Sequence, residues 1–515
     1  MTTLETPTTQ TSYNRTLNKS FDSQGRLRFN MILATDAYKF AHPFAYPKYV
    51  TGMYAYQEAR TKGKDLMVPF GMQMLLWKTL ANPITRDDIE EAAEFCKGNG
   101  TMFYREGWEA ILDECGGYLP VTIRTVPEGT PVPSGNVLVT VEAVGKFFWL
   151  ASYIETWLLR GVWYPTTIAT NDRALKVELK RLFEQSGASM DMLVWMLNDF
   201  AARGVAASEQ AEIGGAAHQV CFMGSDTIEG IRAVNLYYQE SMASYGVPAT
   251  EHSIECAFGL DEEGEEEYLE HILANLAKPG GIVAIVIDGK DMYRATRKLC
   301  TPRFVQLIRD CKAKVVLRPD SGDMMITVPW ILEELAKAFG TKTNAKGFRY
   351  LEGVGVIQGD GIDMLSARSL IAKIVVIGQW QADSIVLGSG GGLLQKVNRD
   401  TYKFAQKASA IRVNHKTVEG LARINREPNQ GEGLPSDSEG FWIPIAKNPI
   451  TDPGKMSKSG RVSLAQNKAT SEFKSYDMDL EELGDNWEDA LVTVYENGKL
   501  YNQITLAEIR KNAAV

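Results

Sequence analysis

From about Val194 onward the chain repeats one pattern, an apolar run that ends abruptly at a polar or glycine-rich step. The runs are "IVAIVID" ending at Asp288, "KVVLRPDSGD" at Arg318 and Asp320, "GVIQGDGID" at Asp360 and "SIVLGSGGG" at Gly388. They recur every roughly 30 to 40 residues, the length of a strand-plus-helix unit. Strands that are apolar throughout are buried on both faces, as in a parallel sheet covered by helices. Polar groups placed just past strand C-termini mark the mouth of a (β/α) barrel. One run stays ambiguous: "AKIVVIGQW" (Ala372 to Trp380) reads as a strand, but its place between Asp363 and Ser384 also suits the apolar half of a helix.

Outside this region the pattern is mixed. "DDIEEAAEFCKGN" has helical spacing with acidic residues in its first turn. Pro120 to Val144 alternates β-branched runs with Pro-Glu-Gly and Ser-Gly-Asn, which predicts antiparallel strands and turns. A helix is expected from about Lys146 to Arg160, and a second helical stretch begins with Asn171 as its cap. Near the C-terminus, "LVTVYENGKLYNQI" predicts a hairpin turning at Asn497-Gly498, and Thr505 with Glu508 forms a capping box for a last helix. The expectation is an α/β protein: an irregular (β/α) barrel core with a second, mixed α+β lobe built from both chain ends. The expected boundaries are an arm over 1–30, the first part of the mixed lobe over 31–165, the barrel over 166–400, and the completing part over 401–515.

Composition narrows the function classes. The 515 residues are 44% hydrophobic, enough to bury a large core in more than one lobe. A net charge of −9 argues against nonspecific nucleic-acid binding and against a basic membrane-binding surface. A local cluster of Lys and Arg can still hold an anionic small substrate. The six cysteines show no CxxC spacing and read as reduced thiols of a cytoplasmic protein. The first 28 residues are polar and Thr-rich without an apolar segment, so a disordered arm is expected and not a signal peptide. No run of about 18 apolar residues suggests a membrane span.

The glycines of "VLGSGGGLLQKVNRD" are the sharpest feature. A linker would have polar flanks, whereas an apolar strand precedes this loop and two leucines follow it. Neither standard phosphate-loop motif fits. What fits is a loop whose bare backbone N–H groups meet an anion, with Lys396 and Arg399 just downstream; a tightly packed turn is the alternative. In "LRPDSGD", Arg318 offers a planar donor and Asp320 a metal ligand or hydroxyl acceptor, although an Arg/Asp surface pair is common. Asp288, Asp320 and Asp360 at neighbouring strand ends suit Mg²⁺ or ribose hydroxyls. Glu251 and His252 adjoin in "ATEHSIE", and Phe200, Arg203 and Asp226 supply an aromatic face, a cation and a carboxylate. Each alone is as well explained by a structural role. The basic, Pro/Gly-broken stretch Lys447 to Arg461 suits either a phosphate clamp or a solvated loop.

Taken in order, "TDAYKFAHPFAYP", "DFAARG", "GSDT", "EHS", "RPDSGD", "QGDGID", "GSGGGLLQKVNRD" and "DPGKMSKSGR" resemble the motifs of the nicotinamide phosphoribosyltransferase family, type II phosphoribosyltransferases. The resemblance covers nearly all of the chain after about residue 30. It implies a homodimer with shared active sites that joins nicotinamide to 5-phosphoribosyl-1-pyrophosphate in NAD salvage, with Mg²⁺ and with ATP as a facultative co-substrate. It implies that Phe200 and Tyr38 (from a second copy) sandwich the pyridine ring, Arg318 donates to the carboxamide oxygen and Asp226 accepts from its NH₂. Asp288 and Asp320 would lie near ribose and metal. Arg203, Gly359, Asp360, Gly390, Gly391, Arg60, Lys396, Arg399, Lys407, Lys447 and Lys455 would hold the phosphoribosyl and phosphate groups. His252 would be the phosphorylated histidine, with Glu251 and Asp288 orienting its ring. Ala202, Gly246 and Ala284 depart from the family pattern, which bears on the width of the nicotinamide tunnel. The rival readings are a nicotinate-specific phosphoribosyltransferase, a noncatalytic scaffold of the same fold, and a Mg²⁺-dependent barrel lyase.

Overall fold

The computed structural model describes residues 28–61, 65–414, 416–417, 419–420, 422–423, 436–437, 440–479 and 481–515. The expected N-terminal arm therefore lies almost wholly outside the described residues. The chain divides into two compact units, Met1–Trp163 with Arg399–Ile504, and Tyr164–Asn398 with Thr505–Val515.

The first unit is built on an eight-stranded sheet to which both halves of the chain contribute. Val50–Glu58 lies antiparallel between Val137–Val144 and Ala405–Val413. The sheet continues through Thr122–Thr125 to Val492–Glu496. Asn497 and Gly498 both take positive φ, so the predicted hairpin turn is present with the backbone those residues favour. The predicted acidic helix runs Arg86–Asn99, capped by Thr85 with Asp88 reciprocating. Trp108, Trp149 and Tyr153 form an edge-to-face aromatic cluster within the core.

The second unit carries a six-stranded sheet that is parallel throughout: β1 (Leu197–Asp199), β2 (Gly224–Ser225), β3 (Ile282–Val286), β4 (Lys314–Arg318), β5 (Val354–Gln358) and β6 (Ile385–Ser389). Their spatial order is β2-β1-β6-β5-β4-β3. β5 is buried at every position, as an apolar strand covered on both faces should be. The last helix, Leu506–Asn512, has the predicted Thr505/Glu508 capping box. Its residues hydrogen-bond within this second unit, Leu506 N–H to Tyr238 O and Arg510 to the Gln219 and Ala243 carbonyls.

One local reading needs correction and one open alternative is decided. The break expected around Asn171 is absent, because one helix runs Glu155–Ser186 through Pro165. Buried residues continue at helical spacing across it, from Leu158 and Val162 through Ile168 to Leu175 and Leu179, so the apolar stripe outweighs the cap signal. The ambiguous "AKIVVIGQW" is helical: Met364–Ala372 continues into a π-turn over Lys373–Ile377 that buries Ile374 and Val375. Among the described residues no helix is long and apolar enough to cross a membrane, and all six cysteines are unpaired.

Candidate active site

Every strand of the parallel sheet ends in a short loop, and those loops bring most of the candidate residues together. Phe200 follows β1 directly, and its N–H donates to Ser389 O at the end of β6 (2.9 Å). A Cβ on Gly388 would run into the Phe200 ring, so the first glycine of the loop is needed to seat the aromatic face. Milder contacts of this kind occur at Arg318, where a Cβ on Gly359 would lie 3.0 Å from Nε, and at Asp226, where a Cβ on Gly246 would lie 2.9 Å from Oδ1, and a small side-chain shift relieves either. The Arg318 guanidinium sits 5.6 Å from the centre of the Phe200 ring, within cation–π range. Its Nε is buried and lacks a hydrogen-bond partner.

These three side chains line a cavity of about 350 Å³, walled by residues such as Trp195, Val316, Ile357 and Val386. Asp226 is exposed as a whole residue, but desolvation in the cavity pushes its carboxyl above the ordinary carboxylate range, with Arg318 opposing. At the far end of β4, burial lowers the pKa of Lys314, which lines the same cavity. Ala284 and Gly246, two of the positions that depart from the family pattern, also line it.

A second set forms a hydrogen-bonded mesh. Asp288 is nearly fully buried; its Oδ1 lies 3.0 Å from His252 Nε2 and its Oδ2 accepts from the Asp320 N–H at 3.1 Å. Arg318 Nη2 donates to Asp320 Oδ1 at 3.2 Å. Glu251, expected with Asp288 to orient the His252 ring, accepts from the Ser253 hydroxyl just before the helix that His252 opens. Among the described residues no group of three or more His, Cys, Asp or Glu is spaced to hold a metal ion alone.

The glycine loop closes the array. β6 ends at Ser389, and Gly391–Leu394 forms a single helical turn. A Cβ on Gly204 would come 2.8 Å from Gly391 N, so the turn carrying Arg203 packs against the loop. Lys396 donates its backbone N–H to Gly391 O and holds its ammonium 3.6 Å from Asp363. Asp360 is exposed, and its carbonyl accepts from Gln358.

The remaining candidates belong to the first unit. Lys407 lies opposite Tyr56 in the sheet. Burial lowers its pKa, Glu155 opposes, and the positive charges of Arg60, Lys447 and Arg399 lower it further. Lys407 is thus close enough to sense three other predicted phosphate-binding cations. Lys447 and Ser457 exchange hydrogen bonds that close the basic loop, and within it Lys455 pairs with Asp452 at 3.1 Å. Tyr38 is 63% exposed and meets His42 edge-on.

The N-terminal domain model of nicotinamide phosphoribosyltransferase matches residues 30–123, and the model of the nicotinate phosphoribosyltransferase family matches 195–429. A nicotinamide phosphoribosyltransferase of Xanthomonas campestris is 40% identical over 94% of this chain and 98% of its own length. The chain belongs to the nicotinamide phosphoribosyltransferase family. A second relative of that name, from Acinetobacter baylyi, is 30% identical over 95% of this chain and 97% of its own. The fold is shared more widely. Nicotinate-nucleotide pyrophosphorylase from Pyrococcus furiosus superposes with a TM-score of 0.57 at 14% identity, covering 94% of this chain and 95% of its own. Human nicotinic acid phosphoribosyltransferase does so with 0.53 at 15%, covering 93% of each chain. These two place the chain on the type II phosphoribosyltransferase fold.

Within this family frame, sequence reasoning missed Glu255. It lies one turn after His252 on the helix His252–Phe258, is buried, and accepts the Gly289 N–H at 2.9 Å. Desolvation raises its pKa to about 7, and the charge of Asp288 adds to the rise. The i, i+3 spacing from His252 is the signal that could have found it. It also missed the glycines at 246 and 388 as steric partners of Asp226 and Phe200, which only the fold reveals.

Proposed function

We propose that this chain makes nicotinamide mononucleotide and pyrophosphate from nicotinamide and 5-phosphoribosyl-1-pyrophosphate. The observation that carries the reading is the cavity: one aromatic face, one guanidinium with an unpartnered buried Nε, and one carboxylate, set in apolar walls. A pyridine ring stacks on Phe200, its carboxamide oxygen accepts from Arg318, and its NH₂ donates to Asp226. Nicotinic acid would put a second carboxylate against Asp226, so the amide is preferred.

In the reaction the pyridine nitrogen attacks C1 of the ribose, the C1–O bond to pyrophosphate breaks, and the leaving group takes the electron pair. The nitrogen carries no proton, so no base is required. The protein's work is to orient the ring and spread the developing charges. The carboxylates of Asp288 and Asp320 stand beside the electron-poor ribose. Gly359, Asp360, Gly390, Gly391, Arg203 and Lys396 hold the phosphoribosyl group. Arg60, Arg399, Lys407, Lys447 and Lys455 bind phosphate, and Tyr38 of a second copy in a homodimer covers the other face of the pyridine.

Mg²⁺ is commonly held by one or two carboxylates together with substrate phosphates and water, and the pair Asp288 and Asp320 fits that mode although no all-protein cage is present among the described residues. When bound there, the ion neutralises pyrophosphate charge. We further assign His252 as the residue through which ATP hydrolysis couples to turnover. With Nε2–H donated to Asp288, the lone pair of Nδ1 is the phosphoryl acceptor, and Asp288 fixes that tautomer and the ring orientation. Localisation in the cytoplasm fits the six unpaired thiols.

The test is mass-spectrometric product detection after incubating pure protein with phosphoribosyl pyrophosphate, Mg²⁺ and equal nicotinamide and nicotinic acid, with and without ATP. The mononucleotide of nicotinamide, formed faster with ATP, is the expected result. The acid product alone would move the chain to the nicotinate-specific activity.

A further inference from the structure

Two titratable groups that the reaction does not use are completely buried: His218, the last residue of the helix Ser208–His218, and Asp172, inside Glu155–Ser186. His218 Nδ1 lies 2.7 Å from Asp172 Oδ2, and Nε2 lies 3.2 Å from Gly224 O. A carbonyl only accepts, so Nε2 carries a proton, and a second proton is shared between Nδ1 and the carboxylate.

Gly224 opens β2, a strand of two residues that leads directly into Asp226. Beside its ladder with β1, this short segment is held by further bonds. Ser225 N–H donates to Tyr245 O (3.2 Å), Asp226 N–H donates to Asp199 O (2.9 Å), and His218 donates to the Gly224 carbonyl. A side chain at 224 would collide with Asn198, so the segment is closely seated on β1.

We propose that His218, oriented by Asp172, is a positioning residue for substrate selection: it fixes the Gly224 carbonyl and so places the Asp226 carboxylate for the amide. The inference rests on the role of Asp226 proposed above. Burial alone would lower the imidazole pKa, but the Asp172 and Asp199 carboxylates and the Gly224 carbonyl outweigh it, and the net direction is up. Lys176 on the helix of Asp172 and Asp199 on β1 are the other charges facing the pair, while Arg173 and Arg510 face the neighbouring Cys221. A raised histidine pKa means that the doubly protonated pair is intact below the ordinary histidine range and is lost as pH rises through the raised value.

The experiment measures kcat and KM for nicotinamide and nicotinic acid across pH 6 to about 10 for the wild-type chain, His218→Phe and Asp172→Asn. His218→Phe keeps a ring and removes both donors. Its nicotinamide KM should rise about 3- to 10-fold, the range of one hydrogen bond. Its preference for nicotinamide over nicotinic acid should fall by a similar factor, with the KM for phosphoribosyl pyrophosphate unmoved. Asp172→Asn lets a neutral imidazole keep its Nε2–H on Gly224. It should match wild type near neutrality and lack the alkaline rise in nicotinamide KM that wild type shows. A folded His218→Phe with unchanged KM and unchanged preference overturns the proposal. If that variant does not fold, Asp172→Asn decides: the same alkaline rise in both proteins, or in neither, overturns it. A wild-type chain that turns over neither pyridine overturns the Asp226 reading itself and this inference with it.

Discussion

The cavity and the strand-end mesh of the second unit handle charge in opposite ways. In the cavity, Asp226 loses water and is pushed towards its neutral form, and Arg318 Nε has no partner. In the mesh, both oxygens of Asp288 already face donors, His252 and the Asp320 N–H, and Asp320 accepts from Arg318. An unsatisfied polar group in an apolar wall penalises any ligand that fails to complete it, which makes the cavity a selecting device. A satisfied mesh has fixed dipoles and charges in place before substrate arrives, which suits transition-state stabilisation. Arg318 belongs to both: its Nη2 is bound to Asp320 and its side chain lines the cavity.

Substitutions that hit one region and spare the other sharpen this division. The largest effect is expected at Asp320→Asn, which keeps the shape of the mesh and removes a charge beside the reacting ribose. kcat should fall by on the order of 10²- to 10³-fold, as for other single electrostatic contacts, while nicotinamide KM from steady-state kinetics changes little. A fall in affinity without a fall in kcat would erase the distinction between the regions. Gly388→Ala acts on the cavity alone by displacing the Phe200 ring. Overpacking of this kind costs about 1 to 3 kcal/mol, read as a raised nicotinamide KM and a lowered Tm with kcat at saturation largely kept.

The smallest effect is a pH-dependent one beneath the mesh. Glu255, raised to about 7, holds its proton in the folded state where the unfolded chain has already released it. Stability is therefore lost as pH rises from the ordinary glutamate range through about 7. Glu255→Gln keeps the acceptor for Gly289 and removes the titration. Its Tm should fall less than that of wild type between pH 5 and 8, by about 2 to 4 °C. Parallel Tm curves would show that Glu255 titrates as an ordinary carboxylate.

Much of this was legible in the sequence because local rules and the fold agree. The apolar runs ending at Asp288, Arg318 and Gly388 are parallel strands with chemistry at their C-terminal ends, and the turn at Asn497-Gly498 and the cap at Thr505 sit where their residue types require. The sequence misled where tertiary burial overrode a local signal. Asn171 has the chemistry of a cap but lies within one continuous apolar stripe, and Ile374 to Ile377 have strand-like composition in a helical segment. Other features could not be read because they join distant positions. His218 and Asp172 are 46 residues apart, and the need for glycine at 388 exists only once Phe200 faces it. Of the two carboxylates expected to orient His252, Asp288, 36 residues on, is the one within hydrogen-bond distance of the ring.

The most direct test of the account is the ratio of kcat/KM for nicotinamide to that for nicotinic acid, measured in competition for wild type and Asp226→Asn. The cavity reading predicts a strong preference for nicotinamide in wild type, reduced at least about tenfold in the variant, chiefly through faster use of the acid, because a like-charge contact is removed. An unchanged ratio would contradict it, since selection would then reside outside the carboxylate that defines the cavity.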